Sequence, residues 1–457
     1  MPKGSITILL PDNHEIEALS RLSPGKKVFY QRTCPHFFYG WVIVGLAFCS
    51  LAFWFGIRTS FSVFYVTLGA EFPWQPGALA GAQSTAMIAA MVSAPMLGAL
   101  IDRFGPRKVI LPGVLITAIG LALCATMTTL FEFYLYYGII AGSAVTAVGV
   151  VAYSVVLRNW FQKKRGFASG IAVSGMGIGM LCFVPLVQYS IISWGWRNAY
   201  LLLSVFGLLC LFPATFVLLR LKPVSKEGQP NAERVGVITT EPAIDRPAFR
   251  ASLSNISLYE TVTQRAFWHF MLFSFFASIG VYIILVHSVK FLVDQGTDVM
   301  LAAMVLAVVG AISSVFRILW GWLSDRVGRE LAYTLGSMIA CLGIVCLLLR
   351  DMSGMAGFTY LFALLFGIGW GATAPSVMAS SADIFDGRRY GFIFGLVQGV
   401  INMAGAIGAW IGGAIFGRYQ SYDIAFVLAV IALGLSCLFI WMAAPRKKFA
   451  VAWKTGL

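Results

Sequence analysis

The stretch GALIDRFGPRK, residues 98–108, returns later in the chain as GWLSDRVGRE, residues 321–330. The two stretches begin 223 residues apart and both carry an Asp-Arg pair followed by a glycine, so that Asp102 matches Asp325. A motif that recurs at such a distance indicates an internal duplication.

A second repeated pair supports the duplication. RGFASG at 165–170 matches YGFIFG at 390–395, which places Gly166 against Gly391 at an offset of 225 residues. Two independent matches at almost the same offset predict two copies of one structural unit.

Composition identifies a membrane protein. The 457 residues are 59% hydrophobic and only 11% charged, with a mean hydropathy of +0.83, which is too apolar for a soluble globular chain. A bilayer-spanning helix needs about 20 apolar residues. The predicted spans are 39–66, 78–101, 109–128, 132–157, 167–190, 198–219, 267–289, 300–323, 332–350, 356–380, 390–417 and 423–444.

A polar stretch divides these runs into six and six. We predict a cytoplasmic N-terminal tail at 1–38, a six-helix bundle at 39–220, a cytoplasmic linker at 221–265, a second bundle at 266–445 and a C-terminal tail at 446–457. The first run is too long for a signal-peptide core and is expected to stay in the mature protein.

The basic residues are distributed unevenly between the two sides of the predicted membrane. Of the 33 Lys and Arg, 26 lie in the tails and in loops after even-numbered runs, whereas four lie in loops after odd-numbered runs. This pattern predicts that both termini are cytoplasmic, in a bacterial inner membrane or plasma membrane. The net charge of +14 is therefore explained by topology, and we predict no nucleic-acid partner.

The loop pattern G-x-L-x-D-R-x-G-x-R, complete at 98–107 and nearly complete at 321–329, resembles the signature of the major facilitator superfamily. The resemblance implies an all-α membrane protein whose twelve transmembrane helices form two pseudo-symmetric six-helix bundles. It also implies transport by alternating access through a central cavity.

Three further features resemble the monocarboxylate transporter family and its bacterial relatives, the oxalate:formate antiporters. They are YGWVIV at 39–44, NWFQKKRGFASGIA at 159–172, and Arg317 in the eighth run shortly before the second loop motif. This resemblance implies an organic anion as the substrate.

Arg317 is the first candidate for binding that anion. It precedes Asp325 by eight residues, or about 12 Å of helix. A charge at the centre of a membrane helix costs about 2.5 to 3.5 kcal/mol, so it usually faces a cavity or a partner. The alternative is a structural Arg bonded to helix carbonyls. In the resembled family an Arg at this place binds the substrate carboxylate.

One departure from the resembled family concerns proton coupling. Its animal members carry an Asp four residues before this Arg, and that Asp is taken to handle the proton, whereas this chain has Ser313. Proton symport through such an Asp–Arg pair is therefore in doubt.

Other side chains within the runs are candidates for the same site. Arg58, midway along the first run, is either a second anion-attracting charge or a structural residue. Gln398 and Asn402 lie four residues apart and so share one helix face. The oxalate antiporters place a Lys on that helix, but here no charge lies between Phe392 and Gly417. Tyr153 and Asn159 are further candidates, which bind either substrate or a neighbouring helix.

His287, near the outer end of the seventh run, is the candidate for proton coupling. An unperturbed imidazole titrates near pH 6.5 (about) and so changes charge within the physiological range. The alternative is a His that hydrogen-bonds at a helix interface.

The loop motifs predict a cytoplasmic gate. In the superfamily the motif Asp pairs with Arg and with the positive end of a neighbouring helix, and such a pair between bundles makes a latch that opens once per cycle. We predict this role for Asp102 and Asp325, with Arg103, Arg107, Arg326 and Arg329 as partners. The alternative is a set of solvated loop charges.

The sequence thus predicts a secondary active transporter of a small organic anion, a monocarboxylate, working by proton symport. Alternatives are an anion exchanger of the oxalate:formate type and a carrier of an uncharged or drug-like substrate. We predict no enzymatic activity, no cofactor and no metal site. The expected partners are the anion, a proton and the lipid bilayer, and the expected state is a monomer.

Overall fold

The computed structural model describes residues 39–74, 76–161, 164–219, 258–385 and 389–443. Within these ranges all regular secondary structure is helical. Most of the predicted linker and nearly all of both predicted tails lie outside the described residues. The predicted aperiodic linker is wrong at its end, where Leu258–Thr263 forms a short helix.

The described residues contain twelve membrane-spanning helices, as predicted. The N-terminal half contains α1 (Gly40–Glu71), α2 (Pro76–Phe104), α3 (Pro106–Cys124), α4 (Leu130–Trp160), α5 (165–194) and α6 (196–218). The C-terminal half contains α7 (Arg265–Asp294), α8 (Val299–Val327), α9 (Arg329–Ser353), α10 (Gly357–Ile384), α11 (Tyr390–Tyr419) and α12 (Asp423–Ala443). Helices α5 and α6 are continuous except at Gly195, whose φ of 81° bends the chain.

The two loop motifs form equivalent tight turns. Gly105 separates α2 from α3 with a φ of 85°, and Gly328 separates α8 from α9 with a φ of 104°. Glycine adopts this left-handed conformation readily because it has no Cβ. These two turns mark one end of the bundle, which we call the motif end and which the charge distribution predicts to be cytoplasmic.

The two halves touch closely near the motif end. There α2 packs against α11, and α5 packs against α8. A Cβ on Gly98 would lie 2.0 Å from the carbonyl oxygen of Gly391, and a Cβ on Gly170 would lie 2.4 Å from the carbonyl oxygen of Arg317. Small residues allow helices to approach this closely, so the sequence of glycines permits the halves to close at the motif end.

Helix α4 is irregular in its middle. It contains a π-helical stretch, Tyr134–Ala141, then a 3₁₀ turn, Val145–Val148, and it breaks at Gly149 before continuing as Val150–Trp160. The indole of Trp54 occupies the space beside the break, since a Cβ on Gly149 would lie 2.8 Å from its Nε1. Such π-bulges occur frequently at functional sites.

Candidate functional site

A cavity lies in the N-terminal half, between α1, α2 and the irregular part of α4. It encloses about 380 Å³ of empty space, part of which is open to solvent. Its aromatic and polar lining residues are Trp54, Arg58, Gln83, Tyr137 and Thr146, and the rest of the wall is apolar. This mixture of apolar wall and few polar groups is typical of small-molecule sites.

Arg58 is the charged group of this cavity. Its Nη1 donates to Oδ1 of Asn402 over 3.5 Å, which is at the long limit for a hydrogen bond. Its Cζ lies 5.4 Å from the centre of the Trp54 ring. Among the described residues no carboxylate pairs with it. The charge is therefore uncompensated, and its one polar contact reaches into the C-terminal half.

The two predicted polar residues of α11 are both buried. Asn402 contacts Arg58, so the structure brings these two predicted site residues together. Gln398 lies one turn closer to the motif end and is 7% exposed. The predicted shared face of α11 is therefore present, and its upper residue reaches the cavity cation.

Two other predicted substrate residues lie elsewhere. The Tyr153 hydroxyl is 2.6 Å from the Ser50 hydroxyl, a bond that joins α4 to α1 inside the N-terminal half. Asn159 is exposed at the motif end of α4, one residue before the helix ends. The structure does not bring either residue to Arg58, because they lie beyond the Gly149 break on the straight lower part of α4.

Arg317 is buried at the contact between the two halves. It is 1% exposed, and its Nη1 donates to the carbonyl oxygen of Val173 in α5 over 2.9 Å. Its Cζ lies 4.9 Å from the centre of the Trp370 ring, and its Nε has no hydrogen-bond partner. A carbonyl partner was the alternative to anion binding. Because this carbonyl belongs to the opposite half, the bond must break when the halves separate at the motif end.

The position before Arg317 that carries an Asp in the animal relatives has no titratable group here. The Ser313 hydroxyl donates to the Gly310 carbonyl oxygen of its own helix over 2.8 Å. No acidic residue in the described ranges pairs with Arg317.

His287 is packed inside the C-terminal half. Its Nε2 lies 2.9 Å from the Ala409 carbonyl oxygen of α11, an acceptor to which the imidazole donates. Its ring centre is 5.2 Å from that of Tyr422. No recorded contact joins His287 to Arg58 or Arg317. Its surroundings fit the alternative of an interface histidine, and its role in proton coupling stays a prediction.

Both motif aspartates bind helix N-termini across the interface. Asp102 accepts from the backbone N–H groups of Gly391 and Phe392, each over 2.8 Å, at the start of α11. Asp325 accepts from the equivalent N–H groups of Gly166 and Phe167, each over 2.9 Å, at the start of α5. The positive ends of helices stabilise carboxylates. The geometry is that expected of a latch between halves.

Arg329 is the one predicted arginine that pairs with a motif aspartate. It contacts Asp325 over 2.6 Å and Asp383 over 3.0 Å. Asp383 also pairs with Arg165 over 2.9 Å, across the interface. Sequence reasoning missed Arg165 and Asp383. The repeat contains a signal for the latter, because Arg158 precedes Asp383 by the same 225 residues that separate Gly166 from Gly391.

The predicted partner role is wrong for the other three arginines. Arg103 lies over Phe104, with 5.1 Å between Cζ and the ring centre, and Arg326 lies over Trp322 at 3.9 Å. Arg107 donates to the Phe216 carbonyl oxygen over 2.7 Å. Each contact stays within one half, because these side chains project from the loop motif toward aromatic rings on the outer surface. Arginine stacks favourably on such rings.

The described residues contain no group of three His, Cys, Asp or Glu that is close enough to hold a metal ion.

Comparison with known families identifies the protein's class. A family model described as the Major Facilitator Superfamily matches residues 46–381 and 314–456. The chain belongs to the major facilitator superfamily. This agrees with its twelve helices and its doubled loop motif.

The chain is related to monocarboxylate transporters. It is 29% identical over 402 residues to monocarboxylate transporter 13 of Bos taurus, covering 88% of each chain. It is 27% identical to monocarboxylate transporter 11 of Mus musculus, covering 89% of this chain and 88% of the relative. It is therefore a multi-pass membrane transporter of this superfamily, and its relatives are transporters rather than enzymes.

Solved structures share the fold. The proton:xylose symporter XylE, bound to 6-bromo-6-deoxy-D-glucose, superposes with a TM-score of 0.70 at 15% identity, covering 88% of this chain and 95% of that one. The transporter FucP in its outward conformation gives a TM-score of 0.64 at 13% identity, covering 88% and 98%. At these identities the likeness concerns the fold alone.

Proposed function

We propose that this protein is a secondary active transporter that moves a small organic anion, a monocarboxylate, by alternating access. One observation carries the proposal. Each half contributes an arginine without a carboxylate partner in the described residues, and the one hydrogen-bond partner of each lies in the opposite half: Asn402 for Arg58 and the Val173 carbonyl for Arg317. The names of the relatives support a monocarboxylate as the cargo.

The two arginines suit alternating access because both exchange partners when the halves rock. In the present conformation Arg58 lines the cavity and is available to a carboxylate, whereas Arg317 is occupied by Val173. Opening of the motif end breaks the Val173 bond and frees the Arg317 guanidinium, whose fork of donors matches a carboxylate. Asn402 and Gln398 supply uncharged contacts from α11.

The motif aspartates serve as the gate in this proposal. Asp102 and Asp325 hold the motif end closed, and Arg329, Asp383 and Arg165 strengthen the closure. The protein acts as a monomer with both termini in the cytoplasm.

Proton symport is the coupling we propose, with His287 as the candidate proton carrier. Anion exchange is the second candidate, and a specific observation favours it. No titratable carboxylate contacts Arg58 or Arg317 in the described part of the chain, so a cargo carboxylate is the available group that can neutralise either charge. An exchanger would then need an anion in both directions.

Purified protein in proteoliposomes tests this proposal. We expect saturable uptake of a labelled monocarboxylate, accelerated by an inward proton gradient. Acceleration by internal anion alone would favour exchange instead. Arg58→Gln and Arg317→Gln are each expected to lower uptake at least tenfold, whereas Arg418→Gln, on an exposed arginine at the opposite end of α11, should leave it unchanged. Normal anion uptake by both cavity and interface variants would contradict the proposal.

A further inference from the structure

The unpartnered polar atoms around the cavity share one property, which is that all are N–H donors. The indole Nε1 of Trp54 and the amide nitrogens of Gln83 and Asn402 have no hydrogen-bond partner among the described residues. The guanidinium of Arg58 has only its long contact to Asn402. A guanidinium, an indole and an amide nitrogen donate and do not accept.

The acceptors of the same groups are already in use. The Tyr137 hydroxyl donates to Oε1 of Gln83 over 2.8 Å, which turns the amide nitrogen of Gln83 away from Tyr137. The Thr146 hydroxyl donates to the Gly142 carbonyl oxygen over 3.2 Å. The lining includes no Asp or Glu within the described residues. A ligand that brings its own N–H or O–H donor therefore finds no free side-chain carboxylate or amide oxygen.

The remainder of the wall is apolar. Ile57, Met87 and Val145, with several alanines, line it. An alkyl group is expected to bury favourably against this wall. The cavity thus combines one positive charge, additional donors and an apolar surface.

We infer that the Gln83–Tyr137 pair is a specificity element, which selects carboxylates whose second polar group is only an acceptor and whose body is apolar. This inference rests on the proposed function. A 2-oxo acid matches the pattern because its carboxylate faces Arg58 and its ketone oxygen accepts from the Gln83 amide. The corresponding 2-hydroxy or 2-amino acid carries a donor that loses its water without gaining a partner, and such unpaired donors strongly reduce affinity.

The preference depends on the direction of one hydrogen bond. Because the Tyr137 hydroxyl occupies Oε1 of Gln83, the amide presents its nitrogen to the cavity. Removing that hydroxyl leaves Oε1 without a donor and gives the cavity a free acceptor. The chain also offers a matched control, since Tyr134 lies about one turn earlier on α4 and its hydroxyl donates to the Ala78 carbonyl oxygen of α2 over 2.6 Å, outside the cavity lining.

Competition against labelled 4-methyl-2-oxopentanoate in proteoliposomes tests the inference. The competitors are 2-hydroxy-4-methylpentanoate, leucine and 4-methylpentanoate, which share one alkyl chain. We expect the 2-oxo acid to bind about tenfold more tightly than the 2-hydroxy acid, and leucine to compete most weakly. Tyr137→Phe should reduce the tenfold ratio to about twofold, whereas Tyr134→Phe should leave it unchanged.

A second variant covers the case in which Tyr137→Phe fails to insert. Gln83→Leu removes the donor as well as the acceptor, so the 2-oxo acid should lose its advantage over 4-methylpentanoate while uptake itself persists. Equal inhibition by the 2-oxo and 2-hydroxy acids in the unmodified protein, or an equal change in both tyrosine variants, would overturn the inference but leave monocarboxylate transport standing. Absence of saturable uptake for every acid would overturn the proposed function as well.

Discussion

The two latches at the motif end have the same backbone geometry but different surroundings. Asp102 and Asp325 each accept two N–H bonds from the first turn of a helix in the opposite half. Asp325 additionally belongs to an ion-pair network with Arg329, Asp383 and Arg165. Asp102 has no salt bridge to a described residue, although Arg158 and Arg389 attract it electrostatically at longer range.

The difference follows from one position of the repeat. Arg329 aligns with Pro106 at the motif offset, and proline cannot form an ion pair. The duplication has therefore kept the contact that depends on the backbone and changed the contact that depends on a side chain. We expect the Asp325 latch to contribute more to closure than the Asp102 latch.

Asp325→Asn should have the largest effect. It removes the charge at the start of α5 and leaves the buried Arg329 with Asp383 alone, which is expected to destabilise the closed state by about 3 kcal/mol. Spin labels on cysteines replacing Phe104 and Leu331, exposed residues at the motif end of opposite halves, report the distance distribution in a background whose native cysteines are replaced. An unchanged distribution would show that this carboxylate does not hold the gate.

Asp383→Asn should have an intermediate effect. Arg165 loses its carboxylate across the interface but keeps a bond to the Ala382 carbonyl oxygen, and Arg329 keeps Asp325. We expect the closed state to lose about 2 kcal/mol, measured with the same spin labels. An effect equal to that of Asp325→Asn would indicate that the four charges act as one unit, which a double variant tests directly.

Asp102→Asn should have a smaller effect. The amide retains one acceptor oxygen for the start of α11 but loses the second bond and the charge, at a cost of about 1.5 kcal/mol. The same distance measurement compares it with Asp325→Asn. If the Asp102 variant opened the motif end as far as the Asp325 variant, the ion-pair network would add nothing to the latch.

Arg103→Gln should have the smallest effect. The side chain is exposed and contacts a ring of its own half, so the change in closure should stay within about 0.5 kcal/mol. Thermal unfolding of the purified protein provides a second readout. A shift as large as that of Asp102→Asn would restore Arg103 to the gate.

The sequence was sufficient for those features that depend on the backbone. Apolar runs of bilayer length predicted all twelve spans, and the repeated motif predicted the carboxylates at helix N-termini. Burial of Arg317 also followed from one charge in an apolar run. Its acceptor did not, because the Val173 carbonyl depends on how α5 crosses α8.

Side-chain partnerships across the interface were harder to predict. Arg103, Arg107 and Arg326 stand in the same motif as Arg329, but the rotation of each helix decides which of them points inward. Asn159 was expected near the substrate because it is polar and follows an apolar run, whereas the break at Gly149 separates the lower part of α4 from the cavity. A longer alignment of the two repeats would have drawn attention to Asp383.

The hydrogen bond from Arg317 to Val173 has a kinetic consequence. Because it joins the two halves, a carrier without cargo must pass through a conformation in which a dehydrated guanidinium has lost this acceptor. We expect the empty return to be the slow half of the cycle and uncoupled leakage to be suppressed. Substrate on the far side of the membrane would then speed the turnover of substrate on the near side.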